Sequence, residues 1–341
     1  MKILIIGGTG LISTAITKYL MFWGHDVTLY NRGTREVQFD DKPKIIIGDR
    51  QKYSEFELQM LSIGNFDCVI DMICFVPQEA ESAVRAFKGR IGQFIFCSTV
   101  DVYTKPAKSY PIKEDEEKNP KKSFSYAYNK ALCEKIFIEA QEKGHFPVTI
   151  IRPAHTYGEG AGLVHPIGFG SIFLDRIRKG KPIIIHGDGN SLWSVCHRDD
   201  VGYAFASAVG NKKALNNDYH VTGEEWMTWN RYHLGIASAM GVADLPVIHI
   251  PTDLLSKIMP VTAFWCVENF QFNNIFDNSK VKNDLGFKYT ITWVEGVKRV
   301  IKWLDDHNRI ENSDNDILYD KLISLWENLG EKMKEAFGSG Y

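Results

Sequence analysis

Tyr126 and Lys130, in the run Tyr126-Ala127-Tyr128-Asn129-Lys130, carry the clearest chemical signal in the chain. On a helix they stand one turn apart on the same face. A free phenol has a pKa of about 10, too high for a base at neutral pH, but a neighbouring ammonium and an oxidised nicotinamide both favour the phenolate. The spacing therefore predicts a proton-transferring tyrosine whose acidity Lys130 increases. Upstream, the apolar run Phe94–Cys97 leads into the polar pair Ser98-Thr99. A third signal is Gly7-Gly8-Thr9-Gly10-Leu11-Ile12-Ser13, directly after the apolar Ile3–Ile6. A glycine turn opening a helix brings bare backbone and the positive helix end close to a diphosphate. Gly7, Thr9, Gly10, Leu11 and Ile12 are thus expected to hold a dinucleotide, with Ser13 small enough to replace the usual third glycine.

Tyr30-Asn31-Arg32-Gly33 ends the second expected strand, where an acid would take the adenosine ribose hydroxyls. An acid there would repel a 2′-phosphate, whereas an amide followed by a guanidinium can bind one. Asn31 and Arg32 therefore favour NADP(H), with NAD(H) the other choice and Arg32 stacked on adenine as the plainer role. Asp49-Arg50 follows the third strand and completes the expected cofactor contacts. Asp49 is placed either to bond the adenine amino group or to cap a helix start.

These groups need a scaffold, and the first half of the chain supplies a pattern for one. Short β-branched runs at Lys2–Ile6, Asp26–Tyr30, Lys44–Ile47, Cys68–Ile73, Gln93–Cys97 and Val148–Ile151 alternate with amphipathic segments. That alternation predicts an α/β fold, a Rossmann-type doubly wound parallel sheet with a smaller α/β substrate-binding lobe. The division is expected at residues 1–152 and 153–341, with the chain free to cross between lobes. Helical patterns follow at Trp229–Met240 and Trp293–Leu304. An amphipathic tail helix, Ile317–Phe337, carries Leu318, Leu322, Leu325, Leu329 and Met333 on one stripe.

Composition narrows the partners. Forty Lys and Arg against 42 Asp and Glu leave a formal charge of -2, so no global field favours nucleic acid or an anionic membrane. The six cysteines are dispersed without a Cys-x-x-Cys pair, which fits reduced thiols in a cytoplasm and no zinc cluster. No metal-site spacing such as His-Glu-x-x-His occurs, and no metal is expected. No apolar run reaches membrane-spanning length.

Taken together, the glycine turn, Ser98-Thr99 with Val102-Tyr103, Tyr126 with Lys130, Arg152–Gly158, Gly187-Asp188-Gly189 and His197–Val201 resemble the extended short-chain dehydrogenase/reductase superfamily, the NAD-dependent epimerase/dehydratase family. The resemblance covers most of the chain. It implies an NAD(P)-dependent epimerase or dehydrogenase acting on a sugar or nucleotide-sugar, and a homodimer. Tyr126 would be the general acid/base, Lys130 would hold the nicotinamide ribose, and Thr99 would bond the reacting oxygen. His155 would help position the nicotinamide, and Tyr157 follows it toward the substrate.

Two departures matter. The family's dehydratases carry an acidic pair after the catalytic threonine, whereas this chain has Val100 and Asp101. Dehydration thus ranks below epimerisation or simple redox, and Asp101 either touches substrate or is a solvated loop carboxylate. The family's diphosphate-clamping arginine after Gly-Asp-Gly is replaced by Trp193, which either stacks on a sugar or base or packs internally. A substrate without a nucleotide, or a grip by Lys257, Arg176 or Arg178, would follow. The chain also resembles an atypical subgroup that includes chloroplast stem-loop RNA-binding proteins. Non-catalytic RNA binding or cofactor sensing is therefore the alternative function, although the intact Thr99, Tyr126 and Lys130 set argues for an enzyme.

Overall fold

The computed structural model describes residues 1–35, 39, 41–168 and 170–338. The chain forms two compact units: Met1–Gly158, Ser194–Trp226 and Ile275–Thr292 in the first, Glu159–Trp193, Met227–Asn274 and Trp293–Tyr341 in the second. The chain leaves the first unit at Gly158 and returns to it twice.

In the first unit the strands are β1 (Lys2–Ile6), β2 (Asp26–Asn31), β3 (Lys44–Ile47), β4 (Phe66–Asp71), β5 (Ile91–Cys97) and β6 (Val148–Pro153). A seventh, Asn217–Val221, completes a parallel sheet in the order Asn217–Val221, β6, β5, β4, β1, β2, β3. Successive strand residues point to opposite faces. Ile3, Ile5, Ile70 and Ile95 accordingly enter one core cluster, and Leu4, Ile6, Val69, Phe94 and Phe96 the other. The helices α1 (Leu11–Phe22), α2 (Tyr53–Ser62), α3 (Pro77–Phe87) and α4 (Ser125–Glu142) accompany these strands. Winding reverses between β1 and β4, which puts a ligand crevice at their carboxyl ends.

The first return, Ser194–Trp226, brings in two elements. Helix Arg198–Ala208 covers α1 so closely that a Cβ on Gly202 would lie 2.6 Å from the Ala15 Cβ. Strand Asn217–Val221 is not legible as a strand in the sequence, because three of its five residues are Asn, Asp and His. The fold explains them: Tyr219 and Val221 enter the core, while Asp218 and His220 face polar groups. Arg152, at the end of β6, makes two bonds to Glu134 of α4 at 2.8 and 2.7 Å, one to Asp218 at 2.6 Å and one to the Tyr103 hydroxyl at 3.0 Å. Tyr103 in turn meets His220 at 2.6 Å, and Glu134 accepts the Ser98 hydroxyl.

The second unit contains strand Ile183–His186 paired in parallel with Val247–Ile250, and helices Trp229–Ala239 and Trp293–Asp306. The tail helix Ile317–Phe337 forms as expected, but its buried face is different. Tyr319 and Ile323 are inside, while Leu318 is 70% and Leu325 57% exposed. The Tyr319 hydroxyl sets this rotation by accepting from Ile184 N at 2.7 Å and meeting His165 Nε2 at 3.1 Å, with Arg176 over its ring.

Burial leaves several histidines neutral. It pushes His186 and His233 down to about 4 and His220 to about 3, and it lowers His165 strongly. Below pH 6.5 the unfolded chain takes up protons that the native state refuses, so stability is expected to fall from about pH 6.5 to pH 4 and stay flat above pH 7. Each histidine contributes up to about 1.4 kcal/mol per pH unit in that window. Melting curves between pH 5 and 8 check this; a melting temperature unchanged down to pH 5 would contradict it.

Candidate active site

The glycine turn closes at the carboxyl end of β1. Gly7 adopts φ +85°, and a Cβ there would lie 2.5 Å from Ile73 Cγ2, so only glycine fits. Its N–H donates to Tyr30 O at 2.9 Å. Ser13, buried in the third-glycine position, does more than fit: its hydroxyl donates to Gly7 O at 2.7 Å and accepts from Gly10 N at 2.8 Å. The Thr9 hydroxyl reaches Asn31 Oδ1 at 3.4 Å.

A cleft of about 280 Å³ opens beside this turn, lined among others by Gly7, Thr9, Gly10, Asn31, Arg32 and Asp49. These are the residues the sequence assigns to the cofactor, and the bare glycine cradle fits a diphosphate with its adenosine. Leu11 and Ile12 begin α1 beyond this lining, and Ile12 packs against the core. Arg35, which the sequence reading overlooked, joins the exposed Arg32 at the rim. Asp49 bonds Gln51 N at 3.0 Å, so it holds its own turn while lining the cleft.

Arg50 lines the cleft as well, and its buried guanidinium pairs with Asp71 at 2.7 Å and donates to Glu79 O at 2.6 Å. A cation held this way ties the loop after β3 to the end of β4 and the start of α3, and so fixes a wall of the cleft.

Beyond β5, Thr99 caps a single helical turn, Val100–Val102, by accepting from Asp101 N at 3.2 Å. Tyr126 stands in the first turn of α4 and shares a hydrogen bond with Thr99. Lys130, one turn later, is buried; its Nζ donates to Cys97 O at 2.7 Å between the Phe75 and Phe96 rings. The expected trio therefore converges on the end of β5.

The direction of the phenol's acidity differs from the sequence expectation. Burial, then the charge of Asp101, pushes the Tyr126 pKa up, and the Thr99 bond offsets this only in part. Without a cationic nicotinamide, and with Lys130 directed at Cys97 O, the phenol is protonated. Asp101 is also no solvated loop carboxylate. It is buried, its Oδ2 accepts from Thr99 at 3.3 Å, and its Oδ1 pairs with Lys105 at 3.1 Å. Lys105 was not singled out in the sequence; its spacing of four from Asp101 was the available signal. Burial lowers His155 to about 4 despite Asp101, so its imidazole is neutral.

The outer substrate candidates are packed. Tyr157 is fully buried with its ring edge-on to His197 at 5.4 Å. In the second unit Trp193 stacks on Trp229 at 5.0 Å and meets Phe270 at 5.1 Å, so internal packing is its role. Both rings are thus buried within the fold rather than open at its surface. Among the alternative anion grips, Arg176 is buried against Asp320 at 2.7 Å and Arg178 pairs with Asp305 at 2.9 Å, while Lys257 is exposed 3.9 Å from Asp253.

Comparison with known proteins gives a consistent picture. The model of the NAD dependent epimerase/dehydratase family matches residues 3–222. The chloroplast stem-loop binding protein of 41 kDa b of Arabidopsis thaliana is 28% identical over 317 residues, covering 87% of this chain and 77% of that protein. The UDP-N-acetyl-alpha-D-glucosaminuronate decarboxylase of Bacillus cytotoxicus is 26% identical over 91% of this chain and 99% of its own. In fold, the chain is similar to the UDP-glucuronic acid 4-epimerase of Bacillus cereus in complex with NAD, with a TM-score of 0.70 at 18% identity, over 90% of this chain and 99% of that one. Among the described residues no helix is long and apolar enough to cross a membrane.

Proposed function

The chain belongs to the NAD-dependent epimerase/dehydratase family, and from that premise we propose an NAD(P)-dependent oxidoreductase or epimerase acting on a hydroxyl or keto group of a sugar or nucleotide-sugar. The observation that carries this reading is the convergence of Thr99, Tyr126 and Lys130 at the end of β5. The nicotinamide, when bound, exchanges a hydride with the carbinol carbon. Tyr126 takes the hydroxyl proton during oxidation and returns it during reduction. Thr99, on turning its single hydroxyl proton from Asp101, donates a hydrogen bond to the same oxygen, and Lys130, on leaving Cys97 O, would hold the nicotinamide ribose. Neutral His155 and the cleft residues Gly7, Thr9, Gly10, Asn31 and Asp49 position the cofactor. A homodimer in a cytoplasm belongs to the same proposal.

The cofactor proposed is NADP(H), because the exposed Arg32 and Arg35 are two cations of the cleft lining, and Asn31 stands at the end of β2 where an acid would repel a 2′-phosphate. The test starts with the dinucleotide content of the purified protein, followed by a cofactor-reduction screen against free sugars and nucleotide-sugars. Tightly retained dinucleotide without net reduction would favour the epimerase. In Arg32→Ala the affinity for NADP+ is expected to fall about tenfold, with NAD+ affinity nearly unchanged. Equal losses for both would remove the phosphate assignment.

One observation favours a second reading, the similarity to a stem-loop binding protein. A charge of -2 weighs against it, since RNA affinity requires neutralised phosphates. Salt-sensitive RNA binding with no turnover of any sugar would reverse the order.

A further inference from the structure

Asp101 is the hub of the group around Tyr126. One of its oxygens accepts from Thr99 at 3.3 Å, and the other pairs with Lys105 at 3.1 Å. Its charge is also felt by Tyr126 on α4 and by His155 beyond β6. The pair is nearly closed off from solvent, with side-chain exposures of 8% for Lys105 and 12% for Asp101. Burying two opposite charges is a poor way to stabilise a fold, because desolvation offsets much of their attraction. A purely structural contact at this turn would be served as well by apolar side chains. The location, beside the hydroxyl of Thr99 and the phenol of Tyr126, gives the pair another use.

On the reading of Tyr126 as the acid/base group, we propose that Lys105 is a positioning residue of the catalytic site: through Asp101 it orients the Thr99 hydroxyl and sets the net charge that faces Tyr126. Among the groups bearing on the phenol are Asp101 and Thr99 from the turn after β5 and Cys97 at the strand end. Lys130 Nζ is directed at Cys97 O, and His155 is neutral. An uncompensated Asp101 carboxylate would hold the phenol in its protonated form. With Lys105 paired to it, the carboxylate can keep Thr99 oriented while opposing ionisation less.

The test is the ionisation of Tyr126 without cofactor, read from tyrosine labelled with carbon-13 at Cζ, its signal assigned with Tyr126→Phe. Asp101→Asn is expected to bring the onset of ionisation down by about one pH unit relative to wild type. Burial lowers the Lys105 pKa, so its amine is neutral before the phenol ionises; Lys105→Met should leave the onset near wild type, whereas Lys105→Arg, which stays charged at alkaline pH, should bring it down. The double variant Asp101→Asn with Lys105→Met contains no buried unpaired charge, so it remains readable if Lys105→Met fails to fold; its onset should match that of Asp101→Asn alone. A merely structural role would lower the melting temperature and leave the onset the same in every variant, which would overturn the proposal. The titration needs neither cofactor nor substrate. Full activity in Tyr126→Phe would therefore sink the proposed function while leaving this ordering readable, and unmoved onsets with an inactive Tyr126→Phe would sink only the role of Lys105.

Discussion

Replacing Tyr126 by phenylalanine is expected to lower turnover by about three orders of magnitude, the middle of the range for losing a general acid/base. The ring remains to pack in the first turn of α4, so the fold should stay intact. The cleft residues Thr9, Asn31 and Arg32 are untouched, and cofactor affinity should change less than twofold. The pH dependence carries further information. Burial and Asp101 both favour the protonated phenol, so the base form is scarce near neutrality. Oxidation, which needs the base, should rise with pH, by up to about tenfold per unit while the ionised fraction is small. Reduction uses the phenol as an acid and should be flat over the same range. Initial rates in both directions, with the substrate identified by the cofactor-reduction screen, check these outcomes. A Tyr126→Phe enzyme with undiminished turnover would refute the role.

What could be read from the sequence and what could not divides along physical lines. Strands β1 and β5 are visible because a strand buried on both faces needs a continuous apolar run, here Ile3–Ile6 and Phe94–Cys97. The glycine turn is visible because backbone at φ +85° against Ile73 excludes a side chain. Tyr126 and Lys130 are visible because a helix turns local spacing into adjacency. Asn217–Val221 is hidden because its polar residues are satisfied by Arg152 and Tyr103, more than 60 positions away in the chain. Arg50 shows a related limit: the sequence shows a cation near the cleft but not that Asp71 and the Glu79 carbonyl hold it. The acidity of Tyr126 is legible only in part, because the spacing shows Lys130 nearby whereas burial, a property of the assembled fold, pushes the cofactor-free phenol up. The tail helix shows the same limit, since a leucine stripe predicts amphipathicity but cannot anticipate that the Tyr319 hydroxyl chooses the buried face.

The same contrast between local spacing and assembled contacts makes Glu134 the residue whose loss should most damage the first unit. Glu134 lies one turn beyond Lys130 on α4, and its carboxylate binds both Arg152, at the end of β6, and Ser98, next to Thr99. It thus ties the helix bearing the acid/base tyrosine to the strand end bearing its hydroxyl partner. Both ends of the ion pair are buried, with exposures of 1% for Arg152 and 3% for Glu134. Glu134→Ala leaves that guanidinium with only part of its compensation, from the more open Asp218 at 2.6 Å. Breaking one partner of such a pair costs about 3–5 kcal/mol, which for a chain of this size corresponds to a fall in melting temperature of about 4–7 °C. Exchanging both charges, as Glu134→Leu with Arg152→Met, should cost less than Glu134→Ala alone, because an apolar pair carries no stranded charge. Denaturant and thermal unfolding of the three proteins decide the matter. If the single variant is as stable as wild type, the buried pair is not what holds α4 to β6; if the double variant is the least stable, the damage lies in packing and not in charge.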